Sequence, residues 1–467
     1  MKKLDKLINI KSHWLSGILV LLVAAGTSCK KLIEIPSSSP TQISQDDVFK
    51  DSADIMGAIA GIYANYKVAG GGQNLFSGII SEYIGCGAGE LTYSYGNSFM
   101  TNTYLATDGT AASFWNGGYQ NIYLINAALQ GVAGTKVISD SLKQALLSEL
   151  KVNRAFNYFY LVTLYSGVPI ITGLDYKENA NKARSSEDSV YDFIESDLKA
   201  AVQGLKPVYP SEGHARPNLY TAEALLARVA LYRKNYKDAE SMASTIIASG
   251  MYQLAPLGQI FKEGSSEAIW QLPAIGTYSQ TSEGYSLNPS SNYSAPSWQV
   301  APYLLDSFET GDKRLDSWVQ NFPVTVSGTT TVYRTPWKYK NRNLTDTPAE
   351  GYVMLRLAEI YLIRAEARAY EGDLTGALSD LNQIRDRAGL ARLSGLDKTA
   401  ILKSIQHERQ IEFCFEWGHR WLDLKRTGNI SIVLGAIKSS WEKHAVLLPV
   451  PDMEMQNDPA LTQNEGY

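Results

Sequence analysis

Cysteine, histidine and long apolar runs are all scarce in this chain, and each scarcity removes a class of function. Only three cysteines, Cys29, Cys86 and Cys414, occur in 467 residues. None has CxxC spacing and no histidine cluster lies near them, so no zinc site is expected. Cys414 sits in an apolar helical stretch and reads as a small core residue. Cys86 lies in a Gly-rich segment and reads as a free thiol, with a Cys86–Cys414 disulfide as the alternative in an oxidising compartment. His214, His419 and His444 are scattered, with no nucleophile placed beside them. His407-Glu408 begins like a zinc-protease helix, but Ile411 stands where the second histidine is required. The Gly70-Gly71-Gly72 run lacks the Lys-Ser/Thr ending of a phosphate loop. Neither a metal nor a cofactor is therefore expected. The formal net charge is −4 and no basic run or stripe appears, which argues against a nucleic-acid partner.

The one concentrated apolar run stands at the start. Lys2, Lys3, Lys6 and Lys11 precede Trp14 to Ala25, a stretch too short to span a bilayer comfortably but of the right length for a secretory signal. Small residues Gly26, Thr27 and Ser28 lead into Cys29, which resembles a bacterial lipobox. There the thiol is the nucleophile that takes a diacylglyceryl group. Residues 1–28 are therefore expected to be a lipoprotein signal peptide. Residues 29–40 are expected to be a lipid anchor and tether, with Cys29 the lipidated residue. Two or more acyl chains hold a protein stably where one does not. No later stretch approaches the roughly 18 apolar residues of a spanning helix. The mature chain is expected to be attached to a membrane without crossing it.

The remainder, residues 41–467, reads as one mostly helical domain. Asp46 and Asp47 open a helix through Tyr63. Apolar residues recur at helical spacing from Phe114 to Leu129. Asp140 or Ser141 caps a long helix to Leu164, ended by Gly167 and Pro169, and Ser186 begins another that runs to Leu205. Thr221 is expected to cap the first helix of a pair near residues 221–249. A second pair lies near residues 355–388. At an offset of 138, Ala227, Tyr232, Ala239 and Ile246 match Ala365, Tyr370, Ala377 and Ile384, while Asn235 matches Asp373. Small residues at such points let two helices approach closely, as in tetratricopeptide units.

Between the pairs, residues 251–350 lose helical periodicity. Gly, Ser, Asn, Thr and Pro become frequent, and short strand-like pieces appear at Glu267 to Leu272 and Val324 to Arg334. Aromatics crowd in, Tyr278, Tyr303, Tyr333 and Tyr339 among them. Residues 66–113 are a second such region. Long irregular insertions in a compact helical body are usually functional. The negative face of an aromatic ring packs on the slightly positive C–H face of a pyranose, while amides fix the hydroxyls. Tyr95, Tyr285, Tyr293, Trp298, Trp318 and Trp337 are the candidate platform residues, with Asn97, Asn288 and Asn292 as polar partners.

In order along the chain stand Ser28-Cys29-Lys30-Lys31-Leu32, Asp47-Val48-Phe49, Trp115, Tyr119 and Asn126, Arg154-Ala155-Phe156, and Gly167-Val168-Pro169. Then come Leu355-Arg356-Leu357-Ala358-Glu359, Arg364-Ala365-Glu366, Glu408-Arg409, Arg420-Trp421, Asp423-Leu424-Lys425-Arg426, and the closing Leu448-Pro449-Val450-Pro451 and Gln463-Asn464-Glu465-Gly466-Tyr467. This set resembles the SusD/RagB family of nutrient-binding lipoproteins over almost the whole chain. The resemblance implies a helical scaffold with tetratricopeptide-like pairs, lipid-anchored at the outer membrane and facing the cell surface. It implies a SusC-like TonB-dependent transporter as partner. The ligand would be a nutrient, most readily an oligosaccharide or polysaccharide, bound without catalysis.

Glu408, Glu412 and Glu416 leave an enzymatic reading open. Their spacing of four places them on one helix face, and paired carboxylates can hydrolyse glycosides. Two carboxylates on one helix are more often fixed by ion pairs, and Arg420 to Asp423 offers a partner. The carboxylates thus leave a glycoside hydrolase as one alternative; the other, within the resemblance, is a peptide nutrient in the same kind of uptake system.

Overall fold

The computed structural model describes residues 45–66, 80–274 and 280–467. The expected signal, anchor and tether, Cys29 included, lie outside the described residues, as do Tyr278 and the Gly70-Gly71-Gly72 run. What is described is mostly helical.

Three long helices form the first half of the scaffold: Gly109–Gly134, Asp140–Tyr165 and Glu187–Gly204. Each starts where a side chain accepts the first free backbone N–H groups: Asp108, Ser139 and Ser186. From Val152 to Tyr165 the middle helix is buried on every face, which marks it as the central rod of the body. Burying a side chain such as Phe156 contributes roughly 1.5–3 kcal/mol. Arg154 ties the three together. Its Nε and Nη2 donate to Asp197 at 2.7 and 2.8 Å, and its Nη1 donates to Asn126 Oδ1 at 2.8 Å.

The two helical pairs follow. Leu219–Tyr232 and Tyr236–Ala248 form one; Leu357–Glu371 and Leu374–Ala388 form the other. The matched positions behave alike: Ala227, Ala365, Ala239, Ala377 and Ile384 are fully buried and Ile246 nearly so. Asn235 and Asp373 both cap the second helix of their pair. The pairs also touch. The rings of Tyr236 and Tyr370 stack at 4.1 Å and 8°, and Arg228 donates twice to Glu359 at 2.7 Å inside the interface. Gly389 ends the last helix with φ +78°, a left-handed conformation that a side chain would disfavour.

The cap of the first helix of the first pair, Leu219–Tyr232, differs from expectation. Asn218, not Thr221, is the cap; Thr221 is its reciprocal partner, donating from N to Asn218 Oδ1 and accepting from the Asn218 N–H. The strand-like piece near Val324 to Arg334 is a hairpin. β4 (Val319–Val326) and β5 (Thr329–Pro336) pair around Ser327-Gly328, both at positive φ as a two-residue turn requires. Two other antiparallel pairs tie distant segments: β1 (Leu91–Tyr93) with β3 (Trp298–Val300), and β2 (Ala268–Leu272) with β6 (Tyr352–Arg356). The main apolar core draws on residues from Ile55 to Leu461, and a smaller one, from Ala358 to Phe413, lies within the second pair and the helix Lys398–Glu412. Cys86 and Cys414 are both buried and unpaired thiols, which removes the disulfide alternative.

Candidate ligand-binding site

The β1–β3 pairing brings the two aromatic-rich regions together. Tyr93 faces Trp298 across the ladder. Ser94 extends the contact: its N–H donates to Ser297 O at 2.9 Å and its hydroxyl to Pro296 O at 2.5 Å. Gly96, at φ +70°, then turns the chain back, with its N–H on Tyr93 O at 3.0 Å. The turn lifts Tyr95 into solvent, 77% exposed. Its ring is not loose, because its edge meets Tyr93 at 5.5 Å. Tyr93 in turn packs on Trp298 at 4.5 Å, and Trp298 on Tyr83 at 5.3 Å.

Across an open cleft of about 220 Å³ stands Tyr285, on the short helix Ser282–Leu287 capped by Thr281. The Arg342 guanidinium lies over one face of the Tyr285 ring, 4.8 Å from its centre. Arg342 also donates to the carbonyls of Tyr285 and Asn288. Burial lowers its basicity. Asn288 is buried in the cleft wall, with Nδ2 donating to Tyr339 O at 3.0 Å and Oδ1 without a partner. Serines, prolines, Leu287 and Ala295 complete the lining, and among the described residues no carboxylate lines it. Behind Ser286 the hydroxyl reaches Glu82, whose carboxyl is pushed up to about 8 by burial. Glu283 beside it is raised to about 7 for the same reason.

The candidate residues thus divide. Tyr95, Tyr285 and Asn288 meet at the cleft. Tyr293 is 78% exposed on the loop between the lining residues Ser291 and Ser294. Trp298 is buried beneath the cleft as the support of Tyr93, with no open face for a ligand. Trp318 is fully buried, with Lys338 Nζ 4.1 Å from its ring centre, so the platform role expected for it gives way to a core role. Trp337 is half-buried and lies outside the cleft lining. Asn97 is the cap of the helix Ser98–Thr101, accepting from Met100 N at 2.9 Å. Its oxygen is therefore spent on the backbone. Arg342 went unrecognised in the sequence; its one signal is a planar cation among Asn and Lys inside an aromatic-rich loop.

The carboxylates of 408–416 lie elsewhere, in a buried ion-pair cluster. Glu408 accepts from Arg314 at 2.5 Å and Arg385 at 3.3 Å. Glu412 accepts from Arg356, Arg314 and Arg387. The helix Lys398–Glu412 ends before Glu416, because Phe415 and Trp417 take positive φ. Glu416 nevertheless folds back onto Lys338 at 2.6 Å and Arg356 at 2.9 Å. The partners are not those expected from Arg420 to Asp423; Arg420 donates to the Tyr303 hydroxyl instead. Because Arg314 and Lys338 belong to the irregular region, this cluster clamps the loops onto the helices.

The structure is thus a helical body with stacked pairs, carrying a cleft of presented rings on clamped loops. Residues 40–231 match the family described as "Starch-binding associating with outer membrane", and residues 338–467 match the SusD family. SusD-like protein P25 of Formosa agariphila is 24% identical, over 96% of this chain and 98% of the relative. SusD-like protein P2 of the same organism is 26% identical, over 98% and 100%. Among solved structures, a laminarin-binding SusD-like protein superposes with TM-score 0.76 at 24% identity, covering 90% of this chain and all of that one. A SusD superfamily protein of Bacteroides vulgatus gives 0.77 at 20% identity, over 90% and 99%. The chain belongs to the SusD/RagB family.

Proposed function

We propose that this chain captures an oligosaccharide or polysaccharide at the Tyr95–Tyr285 cleft, without altering it, and passes it to a SusC-like TonB-dependent transporter. The observation that carries the reading is the meeting of two presented rings, the edge-supported Tyr95 and Tyr285, across one cleft. The rings offer faces for sugar C–H groups, and the serines that line the cleft offer hydroxyls to the sugar. A volume of about 220 Å³ is below the roughly 300–1,000 Å³ of enclosing small-molecule pockets. A chain lying across the cleft suits it better than a ligand swallowed by it. The family description and the laminarin-binding neighbour point to the same ligand class.

The proposal places the protein at the outer membrane, held by lipid on Cys29 and facing outward. No helix among the described residues is long and apolar enough to cross a membrane. Against hydrolysis, the oxygens of Glu408 and Glu412 are occupied by arginines in the interior.

Calorimetry against laminarin oligosaccharides, starch oligosaccharides and a peptide library tests the reading. Saturable glycan binding with no product released is expected. Binding of peptides alone would move the ligand class, and glycan cleavage abolished by Glu408→Gln would restore the hydrolase. Mass spectrometry of the membrane fraction should find Cys29 acylated.

A further inference from the structure

A second concavity, of about 350 Å³, lies between the helix Gly109–Gly134, the segment after Gly167 and the C-terminal helix Asp452–Asn457. Its floor is aromatic. Trp115 and Tyr119 lie 5.0 Å apart, and the Tyr119 hydroxyl is spent on Pro169 O at 2.8 Å, which fixes the ring. Its rim carries two presented rings, Tyr123 at 49% exposure and Tyr176 at 75%. The polar groups come mainly from one side. Asp458 accepts from the N–H groups of Lys182 at 3.1 Å and Ala460 at 2.9 Å. Glu454, one helical turn earlier, lines the cavity, and its carboxylate accepts no hydrogen bond among the described residues. Its carboxyl is raised by burial and then by Asp458.

We infer that this concavity is a second saccharide site, selective for neutral chains. Apolar walls with a few polar groups on one side are the build of a ligand pocket, and 350 Å³ falls within the usual range. Two rim tyrosines offer ring faces to sugar C–H groups, and an unspent carboxylate accepts hydroxyl donors strongly. Glu454 and Asp458 together repel uronate or sulfated sugars. The first cleft has the opposite bias, with Arg342 and, among the described residues, no carboxylate in its lining. The inference rests on the glycan reading proposed above, and it gives the two sites different charge rules.

The test is affinity electrophoresis of the full chain through gels holding laminarin, starch or polygalacturonate. All four tyrosines to be changed are exposed, so thermal melting should stay unchanged in each variant. In whichever neutral polymer retards the wild type, Y95A/Y285A should weaken retardation about tenfold or more yet leave a residue. Adding Y123A/Y176A should abolish that residue, and E454Q in the Y95A/Y285A background should reduce it several-fold. Y95A/Y285A should show no retardation by polygalacturonate. Complete loss of retardation in Y95A/Y285A, with Y123A/Y176A indistinguishable from wild type, overturns the second site and leaves the first reading standing. Loss in Y123A/Y176A alone supports the second site and removes the first. No retardation of the wild type by any polymer removes both.

Discussion

Two regions of this molecule concentrate chemically active side chains, and they differ in what those side chains have left to give. Around Glu408, Glu412 and Glu416, carboxylates and guanidinium groups crowd together in a pattern that looks catalytic in sequence. There the oxygens are held by arginine or lysine, and the three carboxylates are nearly inaccessible. The Tyr95–Tyr285 cleft is chemically plain: two phenols, serines, prolines, an amide and one guanidinium. Yet it holds two exposed rings, Tyr95 and Tyr285. Unspent capacity, not residue type, separates a binding surface from a structural cluster. The dense region also serves the plain one, since Arg314 and Lys338 anchor the loops that carry the cleft.

The comparison predicts opposite responses to mutation. Glu412→Gln weakens the hold on three buried arginines and should destabilise by roughly 3–5 kcal/mol. Trp318→Ala empties a fully buried indole site and should cost a similar 3–5 kcal/mol. Both are read from urea unfolding midpoints; a loss under about 1 kcal/mol would break the contrast. Tyr95→Ala with Tyr285→Ala should do the reverse. Glycan affinity should fall tenfold or more, about 1.4 kcal/mol, with stability moved by no more than about 0.5 kcal/mol.

A smaller effect is expected from pH. Burial raises the carboxyls of Glu82 to about 8 and Glu283 to about 7. Their folded forms bind protons more tightly than the unfolded chain. Their contribution is therefore full below the ordinary value of 4.5 and is lost as pH climbs through 7 to 8. Glu359 runs the other way. Burial opposes its ionisation, but Arg228 outweighs burial and holds it at about 2. Its contribution is full above 4.5 and disappears as pH falls toward 2. His419, lowered to about 4 by burial, adds to the acid limb. Denaturation midpoints measured against pH should therefore peak on the mildly acidic side and fall on both flanks. Smallest of all, Asp373→Ala removes one helix cap and should cost about 1 kcal/mol, with ligand affinity unchanged.

Much of the scaffold was legible because its signals are local. The helix over 374–388 is bounded by its own cap and glycine, and the offset of 138 aligns residues that are indeed buried alike. Thr221 misled because both members of a capping box are cap-type residues three apart. Glu416 misled because helical spacing continues in sequence past the point where Phe415 breaks the helix. The cleft was legible only in composition. Tyr95 and Trp298 look equivalent as letters. Pairing β1 with β3, about two hundred residues apart, buries one and presents the other. Such long-range pairing leaves no periodic trace. Arg342 was invisible for the same reason, its partners Tyr285 and Asn288 lying more than fifty residues away.

The central claim is that presented rings on clamped loops grip a sugar chain. A crystal of the full chain soaked with a neutral laminarin oligosaccharide tests it most directly. The account predicts density for a sugar ring against Tyr95 or Tyr285. A cleft left empty at saturating oligosaccharide, in a protein that calorimetry shows to bind that same sugar, would contradict it.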